Sequence, residues 1–332
     1  MTDERIKIDK YRPEYGEGVA QCFRAVYGEG YPVKIVYNPA MLQAEFDKGS
    51  FYTVVAVNEK DEVVGVMGLY RSSSPYPLLY EIGAGIVLPQ YRSHNIAGKL
   101  CEYIYEKLAK EVGVEELFGE TVSNHTTMQK ISLQFHNTET GLEVDLMPAE
   151  AYTQEKSSSG RVTTIIQFQC YKDREQDLYI PEIYAEEFTF LYTDPKRRRT
   201  FISSTAPMPS KTATSGEQVY FEFAQVGRLI LSSIGTDLDS YIEDCEKSLS
   251  AKGAYVSQIF LPLDCPWVGK AVDLLRSRGY SLAGVLPRWF DADGMLMQKI
   301  YGRPNWEGIN LYSDRAKKIL GFIRGDWEKT HR

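Results

Sequence analysis

The chain has 332 residues, 43% of them hydrophobic and 25% charged, and a net charge of −7. These values are ordinary for a soluble globular protein of two domains, and the negative charge disfavours a nucleic-acid partner. No apolar run is long enough to span a bilayer, and the polar residues 1–10 do not resemble a signal peptide. The five cysteines are scattered and include no Cys-x-x-Cys pair. We therefore expect a cytoplasmic protein with reduced cysteines and no membrane partner.

The beginning of the chain predicts the order strand, helix, helix, strand, strand. Residues 5–11 alternate like a strand, and a helical pattern begins at Pro13. Residues 41–46 predict a short second helix. Two strands follow at 51–57 and 62–70, and the short turn between them predicts a hairpin.

The most informative stretch covers residues 79–112. An apolar, β-branched run ends at Pro89, which has no backbone donor for a sheet. A helix follows, in which apolar residues recur every four positions from Ile96 to Val112. The short loop between them places free backbone N–H groups and the positive end of a helix dipole where a phosphate could bind. The loop is neither a P-loop nor a dinucleotide fingerprint.

This loop resembles the acyl-CoA-binding motif of the GNAT superfamily of N-acyltransferases, where Arg or Gln precedes x-x-Gly-x-Gly/Ala at a strand–helix junction. The matching residues are Arg92, Asn95 and Ala97, so asparagine replaces the first glycine. Asparagine tolerates a positive φ well, and we expect the left-handed turn to survive. The resemblance implies acetyl-CoA as the cofactor. The residues it implies in CoA binding are Ile86, Val87, Leu88, Arg92, Ser93, His94, Asn95, Ile96, Ala97, Gly98 and Asn124.

The same resemblance implies catalytic residues. Glu81 lies on the strand before the loop, where many GNAT enzymes carry a glutamate that removes the amine proton, directly or through water. The chemistry requires a base, because an ammonium has no lone pair with which to attack a thioester. The alternative is a solvated glutamate at a strand edge. The family's proton-donating tyrosine is replaced by Ser132, which leaves Ser132, His125 or a water as the acid, while an ordinary surface histidine is the alternative for His125.

The remaining elements of the first half complete the GNAT order. They are a strand at 116–122, a helix at 124–135, and strands at 142–146 and 161–171 that are joined by a turn at 154–160. In GNAT proteins the segment after the first helix borders the acceptor pocket. The resemblance therefore makes Tyr27 and Tyr31 candidate substrate-binding residues, and simple packing at a domain edge is the alternative.

A charged stretch at residues 172–177 predicts a linker between a GNAT domain, 1–173, and a second domain, 174–332. The predicted elements of the second domain are strands at 188–192, 219–223 and 228–234, a helix at 238–249, a strand at 255–263, a helix at 268–275, strands at 281–290 and 295–301, and a terminal helix. Its last third resembles that of a GNAT domain, but Asp237 lies where a CoA loop would be. We expect a degenerate copy that either completes the acceptor pocket or replaces the second subunit of a dimer. The basic run 196–199 is interpreted as a solvated loop, with a phosphate or CoA contact as the alternative.

The expected fold class is α/β (α+β), with a GNAT-like mixed, mostly antiparallel central sheet flanked by helices and repeated as two lobes. The implied function is transfer of an acetyl group from acetyl-CoA to a small-molecule or peptide amine by direct attack in a ternary complex. The alternative is a non-catalytic acyl-CoA sensor, which Asn95 and the missing tyrosine favour and Glu81 opposes. A hydrolase or metalloenzyme is disfavoured, because the sequence has no GxSxG, HExxH or paired His/Cys ligands. The protein is expected to be a monomer or homodimer.

Overall fold

The first half of the chain contains each helix and strand that its sequence predicts. The structure is a computed structural model and describes residues 5–152 and 160–331, so the predicted turn at 154–160 lies outside the described residues except for Gly160. The elements are β1 (Lys7–Lys10), α1 (Gly16–Tyr27), α2 (Pro39–Asp47), β2 (Phe51–Val57), β3 (Val63–Tyr70), β4 (Leu79–Val87), α3 (Ile96–Tyr103), a π-helical turn (Ile104–Leu108), α4 (Ala109–Glu111), β5 (Glu116–Val122), α5 (Thr127–Gln134), β6 (Thr138–Met147) and β7 (Val162–Cys170). The predicted helix after the CoA loop is therefore present, with a π-helical turn in its middle.

The second half agrees with its sequence except near its start. Its elements are β8 (Gln176–Ile180), α6 (Ala185–Leu191), β9 (Arg199–Ser203), β10 (Ser215–Phe221), β11 (Val226–Ser233), α7 (Leu238–Ala251), β12 (Val256–Pro262), α8 (Val268–Ser277), β13 (Ser281–Phe290), β14 (Ala292–Ile300) and α9 (Asp314–Thr330). The predicted strand at 188–192 is wrong, since most of it lies in α6. Phe188 and Leu191 are three positions apart and both buried, which is a helical spacing. Strands β8 and β9 form a small parallel sheet that the sequence did not reveal.

Twelve strands of the described residues form one continuous sheet. Their order is β1-β2-β3-β4-β5-β7-β6-β13-β14-β12-β11-β10. Within this sheet the pairs β4–β5 and β11–β12 are parallel, and the other pairs are antiparallel. The predicted class, a mixed and mostly antiparallel sheet flanked by helices, is confirmed. The two halves join at the centre of the sheet, where Gly141 of β6 lies opposite Gly284 of β13.

The second half repeats the strand order of the first. The order β3-β4-β5-β7-β6 in one half corresponds to β10-β11-β12-β14-β13 in the other, and each half places its parallel pair at the same point. The joining strands also share a backbone pattern. Asp145 and Arg288, each four positions after the junction glycine, both have a φ of 56°. The repeat agrees with the expected GNAT-like copy, while the domain boundary at residues 173 and 174 stays a prediction.

The two halves of the sheet share a buried core. Phe118 of β5 packs against Trp289 of β13 with ring centroids 5.2 Å apart, and Trp289 stacks on Phe260 of β12 at 4.9 Å. This core brings β11 and β12 close to β5, although several strands separate them in the sheet order. The sheet must therefore curve so that one face of the first half meets one face of the second. In the described parts of the chain, no helix has the length and apolar character needed to cross a membrane.

Candidate active site

A gap opens between the parallel strands β4 and β5. Within the described residues, their pairing ends at Ile82, although β4 continues to Val87. Ala84 has a φ of 50°, and the register between β3 and β4 shifts beside it, so β4 bends at a bulge. Space at the carboxyl ends of parallel strands is a common ligand position in α/β sheets.

The predicted CoA loop closes one end of this gap. Asn95 has φ 52° and ψ 33°, which confirms the predicted left-handed turn directly before α3. A Cβ atom on Gly98 would lie 2.5 Å from Asn95 Oδ1, so the glycine leaves room for the asparagine side chain over the first helical turn. Arg92 Nε donates to the Val87 carbonyl oxygen at 3.2 Å and ties the loop to the end of β4. The first amides of a helix have no acceptor within that helix, and this geometry suits an anion.

The predicted cofactor-binding residues therefore lie along one path. Ile86, Val87 and Leu88 end the bent strand, and residues 92–98 form the loop and the first turn of α3. Asn124 follows β5 on the other side of the gap. Their role in CoA binding stays a prediction.

Glu81 lies on β4 opposite Tyr70 of β3. The Tyr70 hydroxyl donates a 2.6 Å hydrogen bond to Glu81 Oε1. Burial raises the pKa of Glu81, and hydrogen bonds from Tyr70 and Ser72 together with the charge of Arg228 oppose that rise. Burial and the neighbouring Glu81 also hold the pKa of Tyr70 well above its ordinary value, so the phenol remains a donor. A carboxylate with a raised pKa is a stronger proton acceptor than an ordinary glutamate.

Two more glutamates and one arginine lie beside Glu81. Arg228 Nη2 is 2.9 Å from Glu143 Oε1 and 3.3 Å from Glu120 Oε1. Burial and the charge of Glu143 raise the pKa of Glu120 well above its ordinary value, which favours its neutral form. The cluster joins β4, β5 and β6 of the first half to β11 of the second. Sequence analysis missed these residues, although glutamates within the apolar strands at 116–122 and 142–146 were a usable signal.

Of the predicted substrate residues, Tyr27 is the last residue of α1 and Tyr31 lies in the loop that follows it. Their ring centroids are 5.1 Å apart, and Tyr31 also packs on Phe23 at 4.7 Å. Tyr31 is close enough to Tyr70 to contribute to the raised pKa of that phenol. The aromatic loop is therefore on the Tyr70 side of the sheet, while substrate contact by either tyrosine stays a prediction.

The two predicted proton donors are not joined to Glu81. Ser132 and Asn137 lie beside the phenol of Tyr105, whose ring is part of the core between α3 and the sheet. His125 Nδ1 is buried, and none of the described residues forms a hydrogen bond with it. Neither side chain forms a hydrogen bond with Glu81 in the described part of the chain.

Two of the four residues in the basic run 196–199 form buried ion pairs. Arg197 donates to both oxygens of Glu116, at 2.6 and 2.8 Å, and both side chains are buried. Arg199 Nε pairs with Asp293 Oδ2 at 2.7 Å and is also buried. The expectation of a solvated loop is wrong for these two arginines, and neither points an unpaired charge at a phosphate. The sequence could not reveal the carboxylate partners of Arg197 and Arg199, because Glu116 and Asp293 lie far away along the chain.

The comparisons with known proteins agree with this geometry over part of the chain. Residues 17–131, about a third of the chain, match the model described as the acetyltransferase (GNAT) family. No curated protein matches the chain significantly.

Several solved structures are similar to about half of the chain. An N-acetyltransferase from Staphylococcus aureus Mu50 has 15% identity and a TM-score of 0.41, and the match covers 51% of our chain and 99% of that one. An aminoglycoside 6'-N-acetyltransferase complexed with coenzyme A has 14% identity and a TM-score of 0.38, with coverages of 51% and 99%. The ribosomal-protein-S5-alanine acetyltransferase from Vibrio fischeri has 9% identity and a TM-score of 0.41, with coverages of 50% and 92%.

The family match includes β2, β3, β4, the CoA loop, α3 and β5, which are the elements that form the gap, the left-handed turn and the Glu81 strand. Residues 17–131 therefore belong to a domain of the GNAT acetyltransferase family.

Proposed function

We propose that the protein is an N-acyltransferase that moves the acetyl group of acetyl-CoA to an amine within a ternary complex. The observation that supports this most directly is Glu81. It is a hydrogen-bonded carboxylate with a raised pKa, and its strand leads directly into the predicted CoA loop. Such a group can accept the proton that an ammonium must lose before it attacks.

Acetyl-CoA is the acyl donor of GNAT acetyltransferases, and the residues of this chain fit it. The left-handed turn at Asn95 presents the first amides of α3 to an anion, and the gap between β4 and β5 leaves strand backbone for an extended arm. When bound, acetyl-CoA would supply an activated thioester. Backbone groups of Ile86 and Leu88 would orient it, and the helix start would hold its phosphates.

In this proposal the residues around Glu81 handle the proton of the amine. Glu81 accepts it, the N–C bond forms as the C–S bond breaks, and CoA leaves as the thiol. The Tyr70 hydroxyl fixes the orientation of the Glu81 carboxylate at 2.6 Å. Protonation of the departing sulfur by Ser132, His125 or water stays a prediction.

The acceptor we propose is a positively charged amine. Within the part of the chain that the structure describes, Glu81, Glu120 and Glu143 face one arginine, Arg228, so their combined charge is negative unless two of the three carboxylates hold protons. The raised pKa of Glu120 favours loss of one of these charges, and the one negative charge that would then remain balances one ammonium. Coulomb attraction at this partly buried position therefore favours a cationic acceptor over a neutral or acidic one.

The test compares Glu81→Gln with the parent after amines have been screened by thiol release. The variant keeps the shape of the side chain, so acetyl-CoA affinity should stay nearly unchanged while the turnover rate falls by roughly 10²–10⁴-fold. The loss should shrink at high pH, where more of the amine is already neutral. Glu106→Gln, on the exposed face of the helix after the loop, is the matched control and should keep the parent rate.

Two results would contradict the proposal. Parent-like turnover of Glu81→Gln at pH 7 would remove Glu81 from the mechanism. Tight CoA binding without turnover of any amine would instead identify an acyl-CoA-binding protein.

A further inference from the structure

Arg228 is supplied by the second half of the chain but contacts the glutamates of the first. From β11 its Nη2 atom donates to Glu143 Oε1 at 2.9 Å and to Glu120 Oε1 at 3.3 Å. Its Nη1 atom donates to Ser73 Oγ at 3.3 Å, on the segment that joins β3 to β4. The guanidinium therefore bridges three elements that surround Glu81.

The second half also fixes the orientation of this guanidinium. Arg228 Nε donates to Gln258 Oε1 at 2.8 Å, and Gln258 Nε2 donates to Glu143 Oε1 at 2.7 Å. The guanidinium carbon lies 5.3 Å from the ring centre of Phe221 and 5.8 Å from that of Phe260. A guanidinium held by its Nε atom and by aromatic faces loses little freedom when it pairs with carboxylates.

The cluster is enclosed but still open to the solvent on one side. The Glu143 side chain is 2% exposed, whereas those of Arg228 and Glu120 are 11% and 19% exposed. Beside it, Val219 and Phe221 on the edge strand β10 are exposed apolar side chains. The Arg228 and Glu120 side chains therefore keep partial contact with the solvent.

We propose that the second half of the chain completes the catalytic centre and that Arg228 is a positioning residue, which holds the glutamates around Glu81 in place and balances their charge. This inference rests on the proposed function, because it assigns Arg228 a role in the proton acceptance by Glu81.

The electrostatic consequence has a definite sign. Among the described residues, the titratable groups that face Glu81 are Tyr70 from β3, Glu120 from β5, Glu143 from β6 and Arg228 from β11. Arg228 favours the charged form of Glu81, and Glu143 disfavours it. Loss of Arg228 should therefore raise the pKa of Glu81, and loss of Glu143 should lower it.

The kinetic test follows kcat/KM against pH for a fixed amine acceptor. In Arg228→Gln the acid limb should move to higher pH by on the order of one unit, so that kcat/KM falls about tenfold below the limb and recovers to near the parent value above it. Arg228→Lys retains the charge and should keep the limb near its parent position. Arg278→Gln removes a paired arginine of the same half that lies outside the cluster, and it should leave the limb in place.

A double variant separates electrostatics from folding. Arg228→Gln combined with Glu143→Gln removes one charge of each sign, so the acid limb should return close to the parent position. A purely structural role for Arg228 predicts a different pattern, with a uniform loss at every pH and no rescue by Glu143→Gln. That pattern would overturn the inference.

A second readout does not need turnover. Glutamate labelled with ¹³C at the side-chain carboxyl gives one NMR signal per residue, and the signal that disappears in Glu81→Gln belongs to Glu81. Its titration midpoint, measured without acceptor, should rise in Arg228→Gln and return in the double variant.

An unchanged midpoint in Arg228→Gln would overturn the inference whether or not the protein turns over an amine. A shifted midpoint in a protein that acetylates no amine would instead refute the proposed function alone. If Arg228→Gln does not fold, Glu143→Gln and the double variant decide the question: the midpoint should fall in Glu143→Gln and return to the parent value in the double variant, and equal midpoints in these two variants would overturn the inference.

Discussion

The glycine contact between the two halves offers a sharp test of how they are joined. A Cβ atom placed on Gly141 would lie 2.5 Å from the Ala283 carbonyl oxygen and 2.8 Å from Gly284 Cα. Both neighbours are backbone atoms and cannot rotate away as a flexible side chain can. Since β6 and β13 are paired at Gly141 and Gly284, Gly141→Ala should force the strands apart there.

We expect Gly141→Ala to lower the free energy of unfolding by about 1–3 kcal/mol, the usual cost of an overpacked interior site. The opposing effect of alanine on the unfolded chain is smaller, at about 0.4–1 kcal/mol. Gly325→Ala in α9 is the matched control, because a Cβ atom there would have no atom of the described residues within 4 Å. This control should stabilise the protein by about 0.5–1 kcal/mol, since glycine is unfavourable within a helix.

Urea unfolding of the full chain, followed by circular dichroism, measures both variants on the same scale. The two midpoints should move in opposite directions from that of the parent. A Gly141→Ala midpoint equal to or above that of the parent would refute the tight crossing of β6 and β13.

Two further predictions concern buried charges. Burial raises the pKa of Asp145 to about 6. This folded-state pKa exceeds the unfolded value of about 3.9, so the stability contributed by the carboxyl is present below about pH 3.9 and is lost as the pH rises through about 6. The free energy of unfolding of Asp145→Asn relative to that of the parent should therefore increase between pH 4 and pH 7, by about 2 kcal/mol. An equal difference between variant and parent at the two pH values in urea unfolding would contradict this. Arg197→Met leaves Glu116 buried without its partner and should cost about 3–5 kcal/mol in the same assay, whereas the exposed Arg198→Met should cost less than about 0.5 kcal/mol.

The sequence predicted the first half well because its signals are local. The strands at 51–57 and 116–122 follow from apolar, β-branched runs, and their predicted bounds equal those of β2 and β5. The left-handed turn at Asn95 followed from the backbone preference of asparagine and from a motif confined to a few neighbouring residues. A local pattern is sufficient in such cases, since the residues that decide the structure are adjacent in the chain.

The missed features depend on contacts between distant residues. Arg228 meets Glu120 and Glu143 only because the sheet curves, and no local pattern encodes that curvature. The bulge at Ala84 is likewise absent from the sequence signal, because alanine has no preference for a φ of 50°. The predicted strand at 188–192 failed because aromatic residues favour strands, while the buried positions Phe188 and Leu191 stabilise a helix through tertiary packing.

The loop before α7 bears on how many CoA molecules one chain binds. In the repeat, this loop corresponds to the CoA loop before α3. The space beside it is occupied by residues 212–214, which directly precede β10. Asp237 Oδ1 accepts hydrogen bonds from the Thr214 amide at 2.8 Å and from the Thr214 hydroxyl at 2.7 Å. The Gly235 amide donates to the Thr214 hydroxyl at 3.0 Å, and a Cβ atom on Gly235 would collide with the Thr212 carbonyl oxygen.

A pyrophosphate at this second loop would have to displace residues 212–214 and approach the charge of Asp237, whose pKa the hydrogen bonds from Thr214 lower. The loop at Asn95 presents no carboxylate, and its helix start is of the kind that binds anions. We therefore expect one CoA site per chain in calorimetry, and Asn95→Trp should abolish it by filling the space over Gly98. Two sites per parent chain would refute the distinction between the loops. Unchanged affinity in Asn95→Trp would show that CoA binds elsewhere, because an indole over the first turn of α3 leaves no room for a phosphate there.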